Sequence, residues 1–247
     1  MRYFINLAYK GTNYFGWQFQ PNDISVQQVV QEKMSILLNQ PIEVLGCGRT
    51  DRGVHASKYY LHFDFDKEFP SNFMYRMNQL LPKDIAFRSI HEVADEAHAR
   101  FDATSRSYTY HILFNKSPFE YEINSQIMYA ERMDLKVLQQ AADILLEYKE
   151  FTPFCKTNAD NRTMLCDITV AKWILKPNGD GFEFHVTSDR FLRGMIRLIV
   201  GMCVNVAMGK LDMDDVRKAM DTQTLLTRSW SAPPEGLFLS DVRYPYI

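Results

Sequence analysis

Cysteine is scarce in this chain and never paired in sequence. Four occur among 247 residues, at 47, 155, 166 and 203, and none forms Cys-x-x-Cys. That spacing predicts reduced thiols in a reducing compartment rather than a disulfide framework. Long apolar runs are missing, so no membrane span is expected. The first residues, Met1-Arg2-Tyr3-Phe4-Ile5-Asn6, alternate like a strand and lack the apolar block of a secretion signal. The expectation is a cytoplasmic protein. Asn115-Lys116-Ser117 and Asn161-Arg162-Thr163 match the glycosylation pattern and are then chance matches. An excess of positive charge is missing too. The chain has 28 basic and 30 acidic residues, for a formal net charge of −2. A non-specific nucleic-acid binder is usually basic overall, so any such surface here must be local. Arginine placement therefore matters more than the total.

Several catalytic signatures are absent as well. The six histidines, at 55, 62, 91, 98, 111 and 185, include no His-Glu-x-x-His. Pro-Cys-x-x-Cys, which the zinc deaminases need, does not occur. No metal is expected. Gly-x-Ser-x-Gly is missing, which removes the common serine-hydrolase turn. Gly46-Cys47-Gly48 opens like a dinucleotide fingerprint, but Asp51 stands where the third glycine belongs. No Gly-Lys-Ser/Thr follows, which argues against a P-loop.

What is present is an ordinary globular composition, 46% hydrophobic and 23% charged, in a chain long enough for one large or two smaller domains. Its densest feature is Gly46-Cys47-Gly48-Arg49-Thr50-Asp51-Arg52-Gly53-Val54-His55-Ala56. Three glycines, two arginines and one carboxylate lie between two apolar runs, Ile42–Leu45 and Tyr59–Phe65, both read as strands. Asp51 sits between Arg49 and Arg52, and neighbouring cations favour an ionised carboxylate. Such a group serves as a nucleophile or a base. A Gly-rich turn with one Asp is also simply a turn, and spacing alone does not separate the two readings.

Alternation from Tyr3 to Tyr9 predicts a strand. The loop Lys10–Pro21 carries Tyr14, Phe15, Trp17 and Phe19, aromatics that either stack on bases or lid the core. Ser25 with Gln28 reads as a capping box, and Val26, Val29, Val30, Met34, Leu37 and Leu38 follow at helical spacing. A helix over 71–81 and a strand over 85–93 complete an N-terminal subdomain, residues 1–103, with the order of an antiparallel sheet and helices on one face. A C-terminal subdomain, 104–247, opens on a strand in which Arg106, Tyr108 and Tyr110 share one face. Asp134 caps a helix through Leu145, and residues 156–165 are polar and expected to be mobile. Pro177-Asn178-Gly179-Asp180 joins a hairpin of 168–175 with 182–186. The spacing then predicts a helix over 190–206, with Leu192, Met195, Ile196, Ile199 and Cys203 inward. Arg190, Arg193 and Arg197 form a stripe on its other side, suited to phosphates, to a carboxylate or to solvent. A short helix over 212–220, then a loop and a final strand, end the chain. The two halves share a strand–helix–strands plan, which suggests two related subdomains.

Six blocks in order resemble the TruA family of tRNA pseudouridine synthases. Gly48–Ala56 resembles its active-site motif. Tyr9-Lys10-Gly11 with Phe15-Gly16-Trp17-Gln18, and Val26-Gln27, resemble its N-terminal segments. Arg106-Ser107-Tyr108-Thr109-Tyr110 is similar to its tyrosine-bearing strand, and Phe191–Arg197 with Val200-Gly201 to its late helix. Ala232-Pro233, Gly236-Leu237 and Val242-Arg243-Tyr244-Pro245 resemble its C-terminal segment. After His55-Ala56 the family commonly has Gly-Gln-Val, where this chain reads Lys58-Tyr59-Tyr60, and after the late-helix arginine it has Asn, here Leu198.

The resemblance implies an α+β fold of two related subdomains joined around a central catalytic cleft. It implies conversion of uridine to pseudouridine in the tRNA anticodon arm, at positions 38, 39 and 40, without cofactor or metal. In that reading Asp51 is the nucleophile, attacking C1′ of the ribose or C6 of the uracil. Tyr108 stacks on the target base, and Arg197 pairs with the catalytic carboxylate. Arg49, Arg52, Lys58, Arg190 and Arg193 are candidates for phosphate contacts. The family forms homodimers. Two other readings compete: a catalytically silent RNA-binding protein on the same scaffold, and a nucleoside hydrolase, which needs a second carboxylate that the Asp51 loop does not supply.

Overall fold

The computed structural model describes residues 1–156 and 163–247. In chain order its elements are β1 (Arg2–Tyr9), α1 (Val26–Leu38), β2 (Leu45–Gly46), β3 (His55–Asp64), α2 (Phe73–Leu80), β4 (Ile85–Val93), β5 (Ser105–Leu113), β6 (Ser125–Gln126), α3 (Leu135–Asp143), β7 (Ile168–Leu175), β8 (Gly181–Ser188), α4 (Met195–Ala207), α5 (Met213–Thr222) and β9 (Leu237–Arg243). Residues 157–162 hold most of the polar 156–165 stretch and the start of the second glycosylation match, and so lie outside the described residues. Among the described residues no helix is long and apolar enough to cross a membrane.

The chain divides into two units, residues 1–104 with 238–247, and residues 105–237. In the first, the strand order is β4–β1–β3–β9, with β2 on β3. β1 is antiparallel to both neighbours, with Phe4 opposite His62 on one side and His91 on the other. Phe4, Ile5 and Leu7 are fully buried, so β1 is covered on both faces. Helix α1 starts at Ser25, whose Oγ accepts from the Gln28 N–H at 3.2 Å. It buries Val26, Val30, Met34 and Leu38, one stripe at four-residue spacing. On the His62 side, Tyr244 lies edge-on to Phe4 at 5.2 Å and to Tyr60 at 5.2 Å. The unit thus takes its last strand and the buried Tyr244 from the far end of the chain.

In the second unit the order is β6–β5–β8–β7. The β7–β8 hairpin turns at Gly179, as its sequence predicts. Asp134 caps α3, accepting from the Lys136 N–H at 2.8 Å. Helix α4 is buried on nearly every side, which explains its continuous apolar sequence. Gln139 of α3 reaches the open edge of β7. Its amide donates to the Ala171 carbonyl at 3.0 Å and accepts from the Trp173 N–H at 2.8 Å. One side chain so satisfies a carbonyl and an N–H of that edge.

Three expectations need correction. The strand over Ile42–Leu45 does not form; only Leu45–Gly46 pairs. Helix α1 supplies the bonds instead. Gln31 accepts from the Val44 N–H, Gln27 donates to the Val44 carbonyl, and Ser35 accepts from the Ile42 N–H. Next, the sheets are not wholly antiparallel, since β3 pairs with β9, and β5 with β6, in parallel. Finally, the late helix begins at Met195 rather than Arg190. Gly194 stands at its N-cap with φ of +73°, a left-handed conformation that breaks the helical path before it. Arg190 and Arg193 therefore lie in the preceding loop, and the three-arginine stripe does not exist as a helix face.

Candidate active site

The Asp51 loop is held by its surroundings at nearly every residue. Strand β3 starts at His55, four residues after Asp51. His55 is fully buried; its Nδ1 accepts from the Gly11 N–H at 2.9 Å, and its ring stacks on Phe238 at 4.5 Å. Asp51 itself closes a turn, its carbonyl accepting from the Val54 N–H at 3.1 Å, while the Gly53 N–H reaches the Tyr14 carbonyl. On the other side, the Cys47 N–H bonds the Tyr60 carbonyl at 2.8 Å. The Thr50 hydroxyl meets Tyr9 Oη at 2.8 Å, and Tyr59 Oη donates to the Gly48 carbonyl. Thr50 and Cys47 are buried, whereas Asp51 is half-buried and Arg49 and Arg52 are exposed. The backbone is tied down, while the flanking arginine side chains are exposed.

The aromatic loop after β1 supplies much of that support. Tyr14 and Trp17 are buried, so they lid the core, whereas Phe19 is exposed. Tyr14 donates to Asp84 at 2.6 Å; burial first, and that carboxylate second, raise its pKa. Trp17 stacks on Tyr59 at 4.2 Å. Gly16, at φ +84°, lies so close to the Thr50 carbonyl that a Cβ there would stand 2.2 Å from its oxygen. The Gly16 and Trp17 carbonyls accept from the Val26 and Gln27 N–H groups, tying the loop to the start of α1. Phe15 carries the Arg52 guanidinium over its ring at 4.1 Å. Lys58, two residues beyond Ala56, pairs with Asp241 at 2.7 Å. Burial raises the Asp241 pKa, but the hydrogen bonds from Lys58 and Arg243 outweigh it and leave that carboxylate below its usual range.

Asp51, Arg49, Arg52 and Lys58 belong to the first unit; Tyr108, Arg190, Arg193 and Arg197 belong to the second. Tyr108 on β5 faces Val186 of β8 and is half-buried, its ring edge-on to Phe191 at 5.3 Å. Phe191 follows Arg190 in a loop organised by Asp189, whose Oδ1 accepts from the Asp167 and Arg190 N–H groups and from the Ser188 hydroxyl. Arg193 is exposed, and its carbonyl accepts from the Lys156 N–H. Arg197, in the first turn of α4, is half-buried, and its Nε donates to the Ala232 carbonyl at 2.6 Å. The Ala232 N–H returns a bond to the Arg197 carbonyl at 2.9 Å. Tyr110 Oη, buried two residues after Tyr108, donates to the Pro233 carbonyl at 2.9 Å. These bonds give the Ala232-Pro233 segment a physical role.

All four cysteines are buried, and none is in a disulfide. Burial pushes the Cys166 thiol to about 11 and that of Cys203 to about 12, so neither forms a thiolate near neutrality. Among the described residues no three His, Cys, Asp or Glu side chains gather as a metal site. Sequence reading passed over Tyr9, Thr50 and Tyr59 as site residues. Tyr9 lies 41 positions from Thr50, and no local pattern marks a hydroxyl pair at that separation.

Comparison with known proteins agrees with this arrangement in two parts. A family profile described as tRNA pseudouridine synthase matches residues 6–102 and 141–245. The chain is 42% identical over 246 residues to the tRNA pseudouridine synthase A of Azobacteroides pseudotrichonymphae, covering 99% of this chain and 97% of that protein. It is 42% identical to the enzyme of the same name from Parabacteroides distasonis, over 99% of this chain and 96% of that one. With tRNA pseudouridine synthase A 1 of Protochlamydia amoebophila the identity is 34%, over 98% and 96% of the two chains. On these grounds the chain belongs to the TruA family of tRNA pseudouridine synthases, which are isomerases.

Proposed function

We propose that this protein isomerises uridine to pseudouridine in the anticodon arm of tRNA, at positions 38, 39 and 40, with Asp51 as nucleophile and without a cofactor. The observation that carries this reading is the Asp51 loop. Its backbone is bonded on both sides of the carboxylate, while the side chain remains half-buried and flanked by exposed arginines. A carboxylate held in this way suits attack on an electrophilic carbon, C1′ of the ribose or C6 of the base. The N1–C1′ bond breaks, the uracil turns, and C5 bonds to C1′. The proton on C5 leaves and N1 gains one, so the product is an isomer. Attack at C1′ would share the logic of retaining glycosidases.

Tyr108 is proposed to stack on the target base, which must leave its own stack to react. Arg197 is proposed to pair with the catalytic carboxylate. Its bond to the Ala232 carbonyl uses Nε and leaves the guanidinium plane fixed in direction. Arg49, Arg52, Arg190 and Arg193 are proposed to meet phosphates. Lys58 stands among them as a weaker contact, since a phosphate must compete with Asp241 for its ammonium. The proposed setting is a cytoplasmic homodimer.

The test uses unmodified tRNA carrying tritium at C5 of uridine. Tritium release without base loss supports the synthase. Free uracil would point to a hydrolase, and no release to a silent RNA binder. Asp51→Asn is expected to abolish release while tRNA binding survives; turnover by that variant would remove Asp51 from its role.

A further inference from the structure

We propose that Tyr9 and Thr50 are a positioning pair for the Asp51 carboxylate, with the Tyr59–Gly48 bond as a second anchor. Thr50 directly precedes Asp51 in the chain. Its Oγ1 and Tyr9 Oη are 2.8 Å apart, with Tyr9 only 4% and Thr50 only 9% exposed. Tyr9 ends β1, where it is paired with Ala56 of β3 and with Ile85 of β4. Thr50 is therefore bonded to a residue fixed on two sides by strands. Its carbonyl rests against Gly16, so residue 50 is restrained through both its side chain and its backbone.

The second anchor acts two residues earlier. Tyr59 is fully buried on β3 and donates to the Gly48 carbonyl. Its ring lies between Trp17 at 4.2 Å and Tyr9 at 5.6 Å. Tyr9, Trp17 and Tyr59 thus form one aromatic cluster beside the loop, in which the Tyr59 hydroxyl meets the Gly48 carbonyl and the Tyr9 hydroxyl meets the Thr50 side chain. Packing alone does not call for those hydroxyls. A Phe opposite a Val would fill nearly the same space without burying polar atoms, and buried hydroxyls are costly unless bonded. What the hydroxyls add is direction. They fix the rotamer of Thr50, and the carboxylate one residue later inherits that placement. A reacting group must be held within about 0.5 Å of its productive position, and a displacement of about 1 Å costs on the order of 100-fold in rate.

This inference rests on Asp51 being the reacting carboxylate, and the experiment separates the two. Steady-state kinetics on tRNA are measured for Tyr9→Phe, Thr50→Val, their double variant, Thr50→Ser and Asp51→Asn. Tyr9→Phe and Thr50→Val should each lower kcat by about 10- to 100-fold, with KM within about threefold. The double variant should be no slower than the slower single, because both remove one bond. Thr50→Ser keeps the hydroxyl and should recover most of the rate that Thr50→Val loses. A Thr50→Val enzyme with the parent kcat overturns the proposal. So does a Thr50→Ser as slow as Thr50→Val, or a double variant whose losses multiply. If Thr50→Val does not fold, Tyr9→Phe reads the same bond from its other partner. Turnover by Asp51→Asn would instead sink the assignment of the nucleophile.

Discussion

The imidazole of His62 stands edge-on to that of His98, with ring centroids 4.6 Å apart. His62 is buried on β3, and its Nδ1 accepts from the Ala99 N–H at 3.1 Å. Burial first, then the positive charges available on His98 and Arg2, push its pKa down to about 4. His98 is lowered for the same leading reason, although Asp102 pulls it the other way.

Stability should consequently depend on pH. The folded pKa of His62 lies below the unfolded value near 6.5, so the contribution is complete above pH 6.5. It falls as pH drops toward 4, because only the unfolded chain takes up the proton. The full loss is on the order of 3 kcal/mol. Urea midpoints at pH 7 and pH 5 should differ clearly in the parent protein and much less in His62→Gln. Equal pH dependence in the two proteins would contradict this account.

Gly16 is a second point of sensitivity. Alanine there meets two obstacles, the φ of +84° and the Thr50 carbonyl oxygen 2.2 Å from the added carbon. Gly16→Ala should cost about 2 kcal/mol or more in stability. Because the carbonyl that must move precedes Asp51, turnover should fall even below the melting temperature. A variant that melts and reacts like the parent would show that the loop yields freely.

Gln139 tests the β7 edge of the second unit. Gln139→Ala leaves the Ala171 carbonyl and the Trp173 N–H without that partner. The expected cost is about 1–3 kcal/mol, with a rise in aggregation because the β7 edge is opened. Gln139→Glu still accepts from Trp173 but no longer donates to Ala171, so it should fall between the two. Light scattering and thermal melts together decide this; an Ala variant as soluble and as stable as the parent would remove the role.

The arginines proposed to meet phosphates should separate by the salt dependence of tRNA binding. Arg49 and Arg193 are exposed, and replacing either by Ala should weaken binding and reduce the slope of log K against log salt by about 1. Lys58→Ala should change that slope less, since its ammonium already has a carboxylate at 2.7 Å. A Lys58 effect equal to that of Arg49 would mean that tRNA displaces Asp241.

The elements most visible in the sequence were those with local causes. The caps at Ser25 and Asp134, the bounds of β4 and the Gly179 turn all arise from neighbouring residues, and the structure has them where the sequence puts them. Errors came where a distant partner decided the outcome. Ile42 and Val44 have strand-like residues, but side chains of α1 took their backbone bonds. Helical periodicity ran back to Arg190 because periodicity does not register one left-handed glycine at 194. The candidate site divides in the same way. Asp51 is proposed from its loop together with family resemblance, and Tyr108 and Arg197 from that resemblance alone. The hydroxyl contacts of Tyr9 and Tyr59 could not be found in either way, since hydrogen bonds across tens of residues leave no spacing to read.

Strand β9 carries a consequence for synthesis. It lies parallel to β3, with Phe238 opposite His55 and Leu239 opposite Ala56, just beyond the Asp51 loop. Lys58 waits for Asp241, and the Ala99 carbonyl for the Tyr244 hydroxyl. A chain made from its N-terminus exposes Asp51 early, yet the strand that completes its sheet emerges almost two hundred residues later. Residues 105–237 form an uninterrupted unit and can collapse first. The older half of the nascent protein must keep one edge of β3 open throughout translation, and the Asp51 loop reaches its final support only when its most distant neighbour in sequence arrives.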